Sequence, residues 1–172
     1  MGKYNFRVSS SVFAGNAQPE WVIFKANTMP PNLAIYIVRH AEKPDEGSDL
    51  SPAGHARATA YVNFFQNLKD LSGKTISWKF LFASADSPNS DRPVSTIQPL
   101  SDAIKISIDS KYKDKDYPRL VNKIQTNRNR SFENSNILIC WHHGEILNLA
   151  DSLGASCNTL PANSNWPLKW QG

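Results

Sequence analysis

The chain has 172 residues, of which 40% are hydrophobic and 20% are charged, a balance that excludes an intrinsically disordered chain and suits one globular domain. Its net charge of +4, from 19 Lys and Arg against 15 Asp and Glu, would suit an anionic substrate but is too small to indicate nucleic acid. The sequence has no run of roughly 18 apolar residues and no secretory signal pattern, so we expect a cytoplasmic protein with no membrane span.

The first and last segments give weak signals. The N-terminal part is mixed in character and ends in the breaker Met29-Pro30-Pro31-Asn32. We expect residues 1–32 to form a leader or a small antiparallel element, and residues 33–172 to form the main domain. The stretch from Ser156 to Gly172 has no clear periodicity, and we assign no element to it.

The first half of the main domain predicts a strand, a helix and a second strand. Leu33 to Val38 (LAIYIV) is an apolar run too short for a helix, which is typical of a strand buried on both faces. Ser51 before Pro52 marks a helix start, and apolar residues at helical spacing extend this helix to about Leu68. Residues Trp78 to Ala83 predict the second strand.

The second half continues this alternation. Asp91 with Pro93 predicts the start of a second helix. Ala103 to Ile108 alternates isoleucine with polar residues, which predicts a strand with one wet face near a sheet edge. The remaining predicted elements are a helix over Tyr117–Gln125, a strand over Asn136–Trp141 and a helix over Glu145–Leu153 that Gly154 stops. Together the elements predict an α/β fold, a three-layer α/β/α sandwich with a mainly parallel sheet.

Three of the four histidines directly follow the two most apolar predicted strands. His40 follows the first of these strands, and His142 and His143 follow the strand before the last helix. Because open parallel sheets bind ligands beyond the carboxyl ends of their strands, we expect these three rings at a ligand site. The fourth histidine, His55, lies in the first predicted helix and fits a surface residue better.

Two arginines near these strand ends suit a phosphate group. Arg39 precedes His40, and a guanidinium offers a fork of donors for two phosphate oxygens while a neutral imidazole can attack phosphorus. The dipeptide alone is equally compatible with a solvent-exposed strand end. Arg92 lies at a predicted helix start, where free N–H groups favour anions, although it could also be a surface residue paired with Asp86 or Asp91.

A metal site is the rival interpretation of the adjacent histidines. Neighbouring residues of a strand point to opposite faces, and no third ligand follows His142 and His143 at a suitable spacing. The two cysteines, Cys140 and Cys157, show neither metal-binding nor redox spacing. We therefore expect no metal ion and no cofactor.

Three segments, IVRHAEKP with LSPAGHARA, ASADSPNSDRPVSTIQPL and LICWHHGEI, occur in this order between residues 33 and 154. They resemble the signature of the histidine phosphatase superfamily, which has a phosphoglycerate mutase-like fold. The first segment is similar to the family's Arg-His-Gly or Arg-His-Ala turn and Leu-(Thr/Ser)-x-x-Gly helix start, and its RHAEKP motif resembles a small branch. The second places Arg92 and Thr96 at the family spacing, and the third resembles a strand ending in His-Gly.

The resemblance implies a metal-independent phosphoric monoester hydrolase. By position, His40 would be the nucleophile that becomes phosphorylated, and Arg39 and Arg92 would clamp the phosphate. Water would then hydrolyse the phosphohistidine. A phosphorylated small molecule or a phosphoprotein is the expected substrate, and we expect neither nucleic acid nor a membrane as a partner. The oligomeric state stays open.

The second histidine and the proton donor are less sharply indicated. The resemblance implies a charged His143 in the pocket, preferred over His142 because a glycine follows it. His142 departs from the family pattern and could lie in the core or bind substrate at the pocket rim. A general acid for the leaving alkoxide is expected, and Glu42 and Glu145 are the nearest candidates. Glu145 could instead contact substrate, and Glu42 could instead pair with Arg39 or a lysine.

Two other functions stay open from the sequence. One is a phosphoglycerate mutase-type phosphotransferase, which would need extra groups to grip a small phosphorylated acid, and the short linkers show no obvious set of them. The other is a weakly active phosphate- or phosphoprotein-binding module. Hydrolysis is favoured over the binding module because the core residues of the signature are all present.

Overall fold

A computed structural model describes residues 29–70, 72–127 and 129–154. Most of the predicted leader 1–32 and the whole tail from Ser156 to Gly172 lie outside these residues. Within the described part, strands and helices alternate along the chain. They are β1 (Ala34–Arg39), α1 (Pro52–Asn67), β2 (Trp78–Ser84), α2 (Arg92–Ile104), β3 (Ile108–Tyr112), a 3-10 turn (Asp114–Asp116), α3 (Tyr117–Thr126), β4 (Asn136–Trp141) and α4 (His143–Ser152).

The strands form one parallel sheet in the order β1-β4-β2-β3. β4 lies next to β1 over its whole length, from Ala34 opposite Asn136 to Arg39 opposite Trp141. Because all strands run the same way, the residues that follow β1, β2 and β4 meet at one edge of the sheet. This carboxyl edge is where α/β sheets bind their ligands.

Helices cover both faces of the sheet. Side chains of α1 and α2 pack on one face against alternate strand residues, among them Val38, Leu81 and Cys140. Side chains of α3 and α4 pack on the other face against Ile37, Ile139 and Trp141. The predicted three-layer α/β/α sandwich is confirmed. β1, β2 and β4 are largely apolar, as expected for strands buried on both faces, whereas β3 at the end of the sheet is mostly polar and only partly buried. No helix among the described residues is long and apolar enough to cross a membrane.

One predicted strand is wrong. Residues 103 and 104 belong to α2, Lys105 turns the chain with a left-handed φ of 59°, and β3 starts only at Ile108. The amide of Lys105 donates a hydrogen bond to the carbonyl of Ser101, which caps the helix. Ile104, Ile106 and Ile108 all pack on the core formed with α1 and α2. The alternation of these isoleucines therefore arises because the end of α2, the turn and the start of β3 all pack on the same core, and it does not mark a single strand.

The other elements follow their predictions closely. The packing at the start of α1 explains why a glycine occupies position 54. Ser51 caps the helix by accepting a hydrogen bond from the amide of Gly54 at 3.1 Å. The amide of Ser51 donates to the carbonyl of Glu42 at 2.9 Å. A Cβ atom on Gly54 would lie 2.4 Å from that carbonyl oxygen. The absent side chain lets the helix end pack directly on the loop that follows His40.

Candidate functional site

His40 is the first residue after β1 and lies at the carboxyl edge of the sheet. Its amide donates a hydrogen bond to the carbonyl of Trp141 at 3.1 Å, which holds the turn against the end of β4. The residue is only 7% exposed. A titratable ring is therefore buried at the carboxyl ends of two neighbouring strands, β1 and β4.

The tautomer of His40 is fixed by the backbone. Its Nδ1 atom lies 2.7 Å from the carbonyl oxygen of Ala41, and because a carbonyl can only accept, Nδ1 carries the proton and Nε2 keeps a lone pair. Burial lowers the pKa of His40 to about 3, opposed by the Ala41 hydrogen bond and assisted by the charges of His142, Arg39 and Arg92. The ring is therefore neutral at neutral pH.

Arg92 is held in place by three carbonyl groups. Its Nη1 donates to Gly47 at 3.3 Å and to Ser48 at 3.1 Å, and its Nη2 donates to Asn89 at 3.3 Å. The described ion pairs do not join it to either of the aspartates considered as alternative partners. Its buried Nε has no hydrogen-bond partner among the described residues. The Arg92 guanidinium is thus held in one position, and its Nε–H group still lacks a hydrogen-bond acceptor among the described residues.

Arg39 ends β1 directly before His40. Its charge contributes to the lowered pKa values of His40, His142 and His143. Arg39 is therefore close enough to His40, His142 and His143 for its charge to lower the pKa of each ring. The charge of Arg92 also lowers the pKa of His40 and of His142.

His142 and His143 both lie beside His40. The ring centroids are 5.2 Å apart for His40 and His142, and 6.4 Å apart for His40 and His143. His142 is the N-cap of α4 and His143 is its first residue. Burial and then neighbouring cations lower the pKa of His142 to about 4 and lower the pKa of His143 as well. Without a bound anion, these shifts favour the neutral form of both rings at neutral pH. The expected charge on His143 during phosphoryl transfer stays a prediction.

Glu42 is engaged away from the histidines. The Nε atom of Arg57 donates to both carboxylate oxygens at 2.8 Å, and the Nη2 atom of Arg57 also contacts Oε1. Burial alone would raise the pKa of Glu42, but the hydrogen bonds and charge of Arg57 outweigh it, and the net pKa lies below the ordinary value. The carboxylate stays ionised, so it is poorly suited to donate a proton. The described hydrogen-bonded ion pair of Glu42 is therefore with Arg57, which the sequence did not suggest, while Arg39 also lowers the pKa of Glu42 through its charge.

Glu145 occupies the first turn of α4, where the helix dipole favours a carboxylate. Its Oε2 accepts a hydrogen bond from Asn148 at 2.8 Å. Its amide donates a hydrogen bond to the carbonyl of His142 at 3.1 Å, but no described hydrogen bond or ring contact joins its carboxylate to the histidine rings. Its negative charge acts instead on Asp114.

Asp114 is a titratable group that the sequence did not single out. It is half-buried after β3, and its carbonyl accepts a hydrogen bond from the Nε1 atom of Trp141 at 3.0 Å. Burial and then the charge of Glu145 raise its pKa to about 6. Its buried Oδ1 has no partner within the described ranges. In the sequence Asp114 stands between two lysines, and no apolar pattern marks its burial.

Comparisons with known proteins add little at the level of sequence. No protein-family model matches the chain, and no curated protein matches it. Among solved structures, the chain is similar to a protein from Agrobacterium tumefaciens assigned as the phosphohistidine phosphatase SixA, with 18% identity and a TM-score of 0.39 over 73% of this chain and 85% of that chain. A similarity at this level identifies no function, which has to be inferred from the site itself.

Proposed function

We propose that the chain is a metal-independent phosphatase that hydrolyses a phosphomonoester through a phosphohistidine on His40. One observation carries the proposal. His40 is buried and neutral, and its Nδ1–H group is fixed on the Ala41 carbonyl, so that Nε2 holds the free lone pair. This is the tautomer that can attack phosphorus. The proposal agrees with the sequence resemblance, which assigns the same role to His40.

The charges around His40 suit the transfer of a phosphoryl group. Negative charge spreads over the three equatorial oxygens in the transition state, and fixed cations stabilise it without further reorganisation. Arg92 is fixed by backbone carbonyls, and Arg39 adjoins the nucleophile in the chain. His142 and His143 add N–H donors nearby. We assign the phosphate oxygens to these four side chains.

The reaction proceeds in two steps. In the first, Nε2 of His40 forms a bond to phosphorus while the bond from phosphorus to the leaving oxygen breaks, and that oxygen takes up a proton. The positive charge that develops on the ring is stabilised by the Nδ1–H bond to the Ala41 carbonyl. In the second step, water attacks phosphorus and gives up a proton to the group that donated one in the first step. The phosphorus–nitrogen bond breaks with its electron pair returning to Nε2 of His40, and inorganic phosphate leaves.

We propose Asp114 in preference to Glu42 as the proton donor for the leaving group, because its carbonyl accepts a hydrogen bond from Trp141, the residue directly before His142, and because its carboxyl group is the better acid. A general acid works best when its pKa is close to the working pH. The raised pKa of Asp114, about 6, meets this condition, whereas Arg57 keeps Glu42 ionised. Glu42 then has a positioning role, because its backbone carbonyl and its carboxylate both hold the site loop against α1.

The test is hydrolysis of an aryl phosphate together with trapping of the phosphoenzyme in alkali, where phosphohistidine survives. The unaltered protein should release inorganic phosphate and carry the phosphoryl group on His40. His40→Asn should do neither, and His55→Asn, which alters an exposed histidine on α1, should behave like the unaltered protein. Turnover by His40→Asn would refute the mechanism. Phosphoglycerate isomerisation without phosphate release would indicate a mutase, and phosphate binding without turnover would indicate a binding module.

A further inference from the structure

We propose that Thr96 is a positioning residue that ties the nucleophile to the arginine at the start of α2. The inference rests on the proposed function. The Oγ1 atom of Thr96 accepts a hydrogen bond from the amide of Ala41 at 2.8 Å, and it donates one to the carbonyl of Arg92 at 2.7 Å. One hydroxyl group thus bridges two segments that are 55 residues apart in the chain.

The bond to Ala41 reaches the nucleophile through one residue. The Ala41 carbonyl holds Nδ1 of His40 at 2.7 Å, while the Ala41 amide is held by Thr96 at 2.8 Å. Both polar groups of the Ala41 backbone are therefore committed to the site. A change in the direction of that amide would rotate the carbonyl that fixes the ring of His40, and with it the direction of the attacking Nε2.

The other bond reaches the phosphate-binding arginine. A threonine hydroxyl that donates to the carbonyl four residues earlier is common in helices and has no special meaning. Here the same hydroxyl also accepts from Ala41, outside the helix, which an ordinary helical threonine does not do. The carbonyl that it contacts belongs to Arg92, whose guanidinium is fixed from the opposite side by Gly47, Ser48 and Asn89.

The surroundings of Thr96 make these bonds hard to replace. Thr96 is fully buried, at 0% exposure, and Ala41 is 3% exposed. It also lies against Cys140 of β4, whose thiol pKa is raised by burial and lowered in part by the Thr96 hydroxyl. Water cannot readily substitute for the hydroxyl at such a position, and its loss leaves the Ala41 amide without a partner.

The experiment compares Thr96→Val with Thr96→Ser. Valine keeps the shape and removes the hydroxyl, whereas serine keeps the hydroxyl and removes a methyl group. We expect Thr96→Val to lower kcat for an aryl phosphate by about 10- to 100-fold, since small displacements of reacting groups cost this much. The inhibition constant for inorganic phosphate should stay unchanged, because the arginines and histidines remain. Thr96→Ser should keep most of kcat.

The matched control is Thr126→Val. The Thr126 hydroxyl donates to the carbonyl of Asn122 at 2.7 Å, also four residues earlier in a helix, and it has no bond to a site residue among the described contacts. This variant should keep its full kcat. If Thr96→Val does not fold, Thr96→Ala against Thr96→Ser gives the same comparison. Hydrogen exchange of the Ala41 amide, protected only when the hydroxyl is present, checks the contact directly.

The outcomes separate the two proposals. A fall in kcat that serine rescues, with faster exchange at Ala41, supports the positioning role. If kcat is unchanged in Thr96→Val, the positioning role is refuted while the phosphatase proposal stands. The same conclusion follows if the valine and serine variants lose kcat equally, because that result would indicate a packing role alone. An unaltered protein without turnover and without phosphohistidine refutes the phosphatase proposal, and the catalytic role of Thr96 with it.

Discussion

Replacing His40 by asparagine is expected to make the fold more resistant to acid. Burial lowers the pKa of His40 from its ordinary 6.5 to about 3. Between these two pH values only the unfolded chain takes up the proton, so unfolding becomes easier as the pH falls from 6.5 towards 3. Asparagine keeps an amide N–H that can donate to the Ala41 carbonyl, but it does not titrate. The variant should therefore lose this part of the pH dependence.

The size of this change in the free energy of unfolding follows from the difference between the ordinary pKa of histidine and the lowered pKa of His40. A pH of 4.5 lies about two units below the ordinary pKa of histidine and above the lowered one, and each unit corresponds to about 1.4 kcal/mol. Between pH 7.5 and 4.5 the unaltered protein should thus lose roughly 3 kcal/mol more free energy of unfolding than His40→Asn. Solvent screening reduces this little, because His40 is only 7% exposed.

Urea unfolding at the two pH values, followed by tryptophan fluorescence, measures this difference. Trp78 and Trp141 are buried in the described core and should report the transition. Contributions from other titrating groups are present in both proteins and cancel in the comparison to first order. His55→Asn, at an exposed position, should keep the pH dependence of the unaltered protein. Parallel losses of stability in the unaltered protein and His40→Asn would refute the inference of a buried, neutral nucleophile.

Three further substitutions probe other parts of the site. Arg92→Lys should lower kcat/KM for an aryl phosphate by about 100- to 1000-fold, because an ammonium cannot hold three carbonyls and still present a planar donor; unchanged steady-state kinetics would contradict this. Gly54→Ala should cost about 1–3 kcal/mol and lower Tm, since its Cβ would lie 2.4 Å from the Glu42 carbonyl oxygen, while Gly144→Ala, with open space at its Cβ, should leave Tm unchanged. Asp114→Asn should slow phenyl phosphate more than p-nitrophenyl phosphate, because the poorer leaving group needs the proton more; equal slowing would argue against an acid at this position.

Most of the fold could be predicted from the sequence because its strands are buried on both faces. Such strands are continuous apolar runs, and the runs before His40 and His142 are the clearest in the chain. β3 was misplaced because the pattern of isoleucines does not show where the backbone turns. Lys105, a residue without a special turn preference, adopts the left-handed conformation that ends α2. The left-handed conformation of Lys105 depends on the packing of the surrounding isoleucines on one core.

The site was predictable in position but not in charge. Parallel strands bring their ends together, so residues that follow apolar runs meet at one edge, and this placed His40, Arg39 and the adjacent histidines. Protonation states depend on burial and on partners distant in the chain. The pairing of Glu42 with Arg57 joins residues 15 positions apart, and the raised pKa of Asp114 depends on burial and then on the charge of Glu145, a residue distant from it in the chain. Neither contact leaves a pattern along the sequence.

The charge arrangement of the site explains how one pocket can hold a neutral nucleophile among cations. The pKa of His40 is lowered mainly by burial, and that cause persists when an anion arrives. Neighbouring arginine charges contribute to the shift at all three rings, and under the proposed function a phosphate dianion would offset those charges at each of them. His142 and His143 are less buried than His40, so burial opposes their protonation less. An incoming phosphate should therefore favour protonation of the two flanking histidines before that of His40, which supplies positive charge to the phosphate without disabling the attacking group.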